Sequence, residues 1–223
     1  MKKQAIVIGL GQFGMSLARA LSSRGIEVLA VDRRTELVKQ AASFAAEAVS
    51  FNATDEAALG NAAPAQRDLA VCAIGPESRD SSIICTALLR QLGAPHVIAR
   101  AADAVHERIL HLVGAHEVVN PDREFGERLA RRVLYRGIID GLPLGEDLSV
   151  TELHAPADFV GRTLIELALP KRFGVMVVAI RRLAEGHGTV MLPNPTDPLR
   201  PDDILVVVSS PQAVERLANR TRT

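Results

Sequence analysis

Short apolar runs alternate with longer amphipathic stretches through the first half of the chain, the pattern of strands connected by helices. Ala5-Ile6-Val7-Ile8 and Val28-Leu29-Ala30-Val31 read as strands around a helix, the second ending at Asp32. A helix is predicted over 35–42 and a short strand over 48–51, ending at Asn52. Thr54 is placed to cap a helix beginning at Asp55. Residues 69–74 form a continuous apolar run stopped by Gly75-Pro76, as in a strand buried on both faces. Helices over 78–92 and 104–113 flank a fifth strand at 96–100, and a sixth follows at 117–120. Such alternation predicts one α/β unit, a Rossmann-like parallel sheet covered by helices.

Pro121 suits the first turn of a further helix running to about Arg136. Phe125, Leu129 and Val133 form an apolar stripe on it, with Arg128, Arg131 and Arg132 around the remaining surface. The stripe packs on its own domain in one reading and reaches a second subunit in the other. Residues 137–147, with Gly141, Pro143 and Gly145, read as a linker. Beyond it the period changes. Strands at 150–154, 175–180, 190–192 and 204–208, a short helix at 163–168 ended near Pro170 and a closing helix from Pro211 predict a small, mostly antiparallel α+β unit. The domains are thus placed at 1–140 and 141–223.

Composition narrows the function. Lys+Arg 26 balances Asp+Glu 26, and aromatics are only 3% with no Trp, which argues against a nucleic-acid binder. A net charge of zero favours self-association. The apolar run after Lys2-Lys3 stops at Gly9 and reads as a strand, not a signal-peptide core, so a cytoplasmic location is expected. Cys72 and Cys85 read as buried small hydrophobes. His106, His111 and His116, five residues apart, do not share a helical face and read as surface residues.

The chemistry lies in Gly9-Leu10-Gly11-Gln12-Phe13-Gly14, between the first strand and its helix. Gly9 permits the tight turn, Gly11 lets backbone N–H groups approach a phosphate, and Gly14 packs helix against strand. With Asp32 closing the next strand, the spacing is that of a dinucleotide fingerprint. Asp32 is placed to accept from both ribose hydroxyls, which disfavours a 2′-phosphate, although Arg33 beside it would suit one.

These motifs, with NATD at 52–55, AIG at 73–75, NPDREFG at 120–126, DFVGRTLIEL at 158–167, FGVMVVAIRR at 173–182 and LRPDDILVVVSSP at 199–211, resemble the KTN/RCK-domain regulatory subunits of potassium uptake systems (KtrA/TrkA type) over nearly the whole chain. The resemblance implies an RCK-N nucleotide-binding domain followed by an RCK-C domain. Together with the fingerprint it places cofactor contacts at Gly9, Gly11, Gln12, Phe13, Gly14, Asp32, Arg33, Asn52, Ala53, Thr54, Ala73, Ile74, Gly75 and Arg100. It implies ATP or ADP as ligand, with NAD(H) as the alternative, because Gln12 stands where relatives often carry a phosphate-reaching Arg. It further implies a divalent cation or Na+ at a subunit interface through Asp122, where relatives often carry Glu, and cyclic di-AMP at RCK-C, near Lys171-Arg172. The implied protein is not an enzyme but a cytosolic gating-ring subunit. Its copies pair and assemble into an octameric ring at the inner face of the membrane, against a K+ channel or transporter subunit of the KtrB/TrkH type. An NAD-dependent oxidoreductase is the competing reading; no base-and-orienter constellation is evident for it.

Overall fold

The computed structural model describes residues 2–135, 137–145, 147–184 and 187–218; of 131, 143, 183, 184, 187, 188, 211 and 218 only the backbone is described. The chain divides into two compact units, Met1–Asp122 and Arg123–Thr223.

In chain order the first unit holds β1 (Gln4–Ile8), α1 (Gln12–Ser23), β2 (Glu27–Asp32), α2 (Thr35–Ala41), β3 (Glu47–Ser50), α3 (Glu56–Asn61), β4 (Leu69–Cys72), α4 (Arg79–Gln91), β5 (Val97–Arg100), α5 (Ala104–Leu112) and β6 (Glu117–Val119). Its six strands are all parallel, in the order β3-β2-β1-β4-β5-β6. Strand residues alternate between two helix layers, which is why the runs are apolar throughout. Ile6, Ile8, Leu29, Val31, Ala70 and Cys72 pack with Cys85, Leu89 and Leu110 of α4 and α5. Val7, Val28 and Val71 pack with Phe13, Leu17 and Ala18 of α1. Both cysteines are fully buried free thiols.

α6 (Pro121–Leu134) begins at the end of the first unit and continues in the second. Arg136, where its end was expected, lies outside the described residues. Phe125 and Val133 are 56% and 70% exposed and Leu129 between them 36%, so both ends of the stripe stay uncovered. The segment read as a linker is instead β7 (Ile138–Leu144), which turns at Gly145 (φ +80°) and pairs antiparallel with β8 (Leu148–His154). Then come α7 (Leu164–Leu167), α8 (Leu169–Phe173), β9 (Val175–Ala184), β10 (His187–Met191), β11 (Ile204–Ser209) and α9 (Pro211–Ala218). The second sheet is wholly antiparallel, in the order β10-β9-β11-β8-β7. Its core joins Leu153, Phe159, Leu167, Val175, Leu205 and Leu217. Thr163 and Glu166 form a capping box on α7, which ends at Ala168 in the left-handed region. Pro170 then sits inside the first turn of α8, where its missing N–H costs nothing, so the proline restarts a helix instead of ending one.

Candidate functional site

All six parallel strands of the first unit end on one edge, and the order reverses direction between β1 and β4. Open α/β sheets bind ligands at such a switch point. Here the Gly-rich turn leaves β1.

Each glycine of the turn faces a different constraint. Gly9 has φ +92°, and a Cβ there would lie 2.9 Å from Ile74 N and 3.0 Å from the Ala73 carbonyl carbon. A Cβ on Gly14 would overlap the carbonyl oxygen of Gly9. Packing alone therefore demands both. Gly11, the N-cap of α1, has an ordinary φ of −64°, and a Cβ there would meet no atom of the described residues within 4 Å. Nothing within the fold requires glycine at that position. It is a cradle that a Cβ would fill, at a helix start whose N–H groups have no side-chain cap.

Asp32 ends β2 and is only 6% exposed. Its Oδ2 accepts from Leu10 N–H at 2.7 Å, tying it to the turn, and its Oδ1 accepts from Arg34 N–H at 2.9 Å and Arg34 Nε at 3.2 Å. Burial pushes this carboxyl up, but the N–H donors of Arg34 and Leu10 and the Arg34 guanidinium outweigh it and hold the group below the usual carboxylate value. It is a fixed anion beside the turn. Arg34 was not anticipated; the Asp-Arg-Arg run offered two candidates, and Arg33, the one considered, is exposed.

The remaining candidates line the same edge. Ala73 N–H donates to Ile8 O at 2.7 Å, pinning the Ala73-Ile74-Gly75 loop beside the Gly-rich turn. Asn52 closes the β3 end as an Asx turn, its Oδ1 accepting from Thr54 N–H at 3.2 Å and Thr54 Oγ1 at 3.0 Å, with Ala53 buried between them. The cap of α3 is Asp55, which accepts from Ala57 and Ala58 N–H, and not Thr54 as the sequence suggested. Gln12 is exposed on the first turn of α1 and Phe13 half-buried.

Arg100 ends β5 with a side chain only 14% exposed. Its Cζ stands 5.5 Å over the Phe13 ring, and its Nη2 donates to Asp122 Oδ2 at 2.7 Å. The expected anion-facing cation and the expected metal ligand are thus partners of each other. Among the described residues, no three His, Cys, Asp or Glu side chains gather as for a metal ion. His106 is a correction: it is 2% exposed, not a surface residue, and its Nδ1 accepts from Ala102 N–H. Burial, helped by Arg79 and opposed by Asp103, holds its imidazole below the usual value.

Strand order, turn and buried acid define a two-unit protein of the Rossmann-like class, with a Gly-rich turn and a buried acid at the switch point of the first unit. Residues 5–121 match the TrkA-N domain and residues 150–222 the TrkA-C domain. The chain is 35% identical to Ktr system potassium uptake protein C of Bacillus subtilis (strain 168), over 99% of this chain and 98% of that protein. It is 34% identical to Ktr system potassium uptake protein A of Vibrio alginolyticus, over 99% and 97%. The chain therefore belongs to the family of potassium uptake proteins built from TrkA-N and TrkA-C domains. Among solved structures, the GsuK RCK domain aligns with TM-score 0.66 at 19% identity, over 100% of this chain and 48% of that one. The GsuK channel bound to NAD aligns with TM-score 0.66 at 20% identity, over 98% and 40%. At these identities the likeness concerns the fold.

Proposed function

We propose that the chain is a regulatory subunit of a potassium uptake system, holding an adenine nucleotide in the crevice of its first unit without turning it over. One observation carries this: Gly11 is glycine where the fold has no need of it, beside a buried, ionised Asp32 at the switch point of the sheet. The turn would hold the phosphates on backbone N–H groups, and Asp32 would accept from the ribose hydroxyls. Gln12, Phe13, Arg33, the Asn52-Ala53-Thr54 turn, the Ala73-Ile74-Gly75 loop and Arg100 would border the ligand. ADP or ATP and NAD(H) are both chemically suited, and relatives in fold include GsuK structures bound to NAD and to ADP.

Family membership supports the regulatory role, with a membrane-embedded potassium channel or transporter subunit as partner. Among the described residues no helix is long and apolar enough to cross a membrane. In this reading the chain acts beside its partner, at the cytoplasmic face. The exposed α6 stripe supports pairing with a second copy, and a ring of such pairs would pass ligand-dependent changes to the pore. A cation at Asp122 would have to displace Arg100, and cyclic di-AMP would be sought at the second unit.

Calorimetric titration with NAD+, NADH, ADP and ATP tests the reading. At least one should bind saturably, and Asp32→Ala should abolish it. Hydride transfer to any small carbonyl compound would favour the oxidoreductase reading instead.

A further inference from the structure

Arg100 is mostly covered, yet Asp122, its charged partner among the described residues, is 75% exposed and touches a single nitrogen of the guanidinium. Nε is buried and finds no partner among the described residues. The fork also lies over the Phe13 ring, on the first turn of α1, so it stands at the start of that helix with Asp122 on one of its nitrogens. Besides this hydrogen bond, Asp122 supplies charge. A carboxylate 2.7 Å from the guanidinium neutralises it and weakens its pull on any other anion at the α1 N-terminus.

Taking the crevice as the nucleotide site proposed for this chain, we infer that Asp122 sets ligand choice. By occupying Arg100 it disfavours the highly charged triphosphate relative to the pyrophosphate of a dinucleotide. The charge facing Arg100 rises from NAD+ through ADP to ATP, so the penalty rises in the same order. Gln12 contributes no compensating positive charge at the same helix start. Asp122 also lies in the first turn of α6, whose remaining length belongs to the second unit. A phosphate that draws Arg100 away releases that carboxylate, which is then free to interact with the helix N-terminus alone. Phosphate charge and the start of α6 are thereby linked.

The test is titration of the 223-residue chain with NAD+, ADP and ATP in buffer without divalent cations, for wild type, Asp122→Asn, Arg100→Gln and the double variant. Asp122→Asn should tighten ATP by about three- to tenfold, ADP by less and NAD+ least. Arg100→Gln should weaken ATP and erase that gain, so that the double variant matches Arg100→Gln alone. Asp122→Glu, which keeps the charge, should rank the ligands as wild type does. An unchanged ATP-to-NAD+ ratio in Asp122→Asn, weaker ATP binding there, or a gain that survives without Arg100 would overturn the inference. If wild type binds none of the three, the crevice reading falls and this inference with it; normal binding with an unresponsive ratio removes this inference alone.

Discussion

At Gly11 helix α1 begins without a side chain to cap it, although Ser, Thr, Asp or Asn would stabilise the helix there. Gly11→Asp should therefore fold with an unchanged or higher Tm while losing nucleotide binding, since the new carboxylate caps the helix and repels phosphate. Gly14→Ala should do the reverse, costing about 1–3 kcal/mol or more by overpacking against the Gly9 carbonyl, as read from thermal unfolding. The structural roles of Gly9 and Gly14 were readable in the sequence because backbone geometry fixes them. Arg34 and His106 were not. The first depends on which of two adjacent arginines folds back onto Asp32, and the second on which side of a short helix meets the sheet. Thr54 and Asp55 are both good caps, and only the Asx turn at Asn52 decides between them.

Element boundaries in the second unit depend on partners distant in sequence. β7 carries Gly141 and Pro143, which read as a linker, yet an edge strand tolerates proline because one side of its backbone needs no partner. β9 and the start of β11 are clamped by Arg182, whose Nε and Nη2 donate to Asp203 at 2.7 and 2.9 Å. Burial pushes the fully buried Asp203 carboxyl up, but Arg182 and the Arg200 N–H more than offset it and hold it below its unfolded value of 3.8. A depressed folded pKa contributes stability that is present above 3.8 and lost as pH falls through the folded value. Acid unfolding should accordingly steepen below about pH 4, and Asp203→Asn should be less stable at neutral pH with a shallower acid limb. An equally steep limb in the variant would assign the acid sensitivity to other groups, Asp32 among them.

For the whole molecule, two units of different character share one chain, and α6 runs from the first into the second with an apolar stripe uncovered. Two readings of that stripe stood open in the sequence because periodicity shows that a helix has an apolar face, not what covers it. On the pairing proposed above, a second copy covers the exposed Phe125 and Val133, and the double change Phe125→Glu, Leu129→Glu should shift the protein to monomers by light scattering while unit folding persists. The fold class was legible because parallel strands and their helices write two distinct periods along a chain. Ligand identity was not, because turn and acid recognise what ADP and NAD share. The decisive measurement is a crystal structure of the chain with ADP or NAD+ added. Diphosphate should lie on the N–H groups at Gly11 and ribose hydroxyls on Asp32. A nucleotide bound elsewhere, with this crevice closed by side chains, would contradict the assignment.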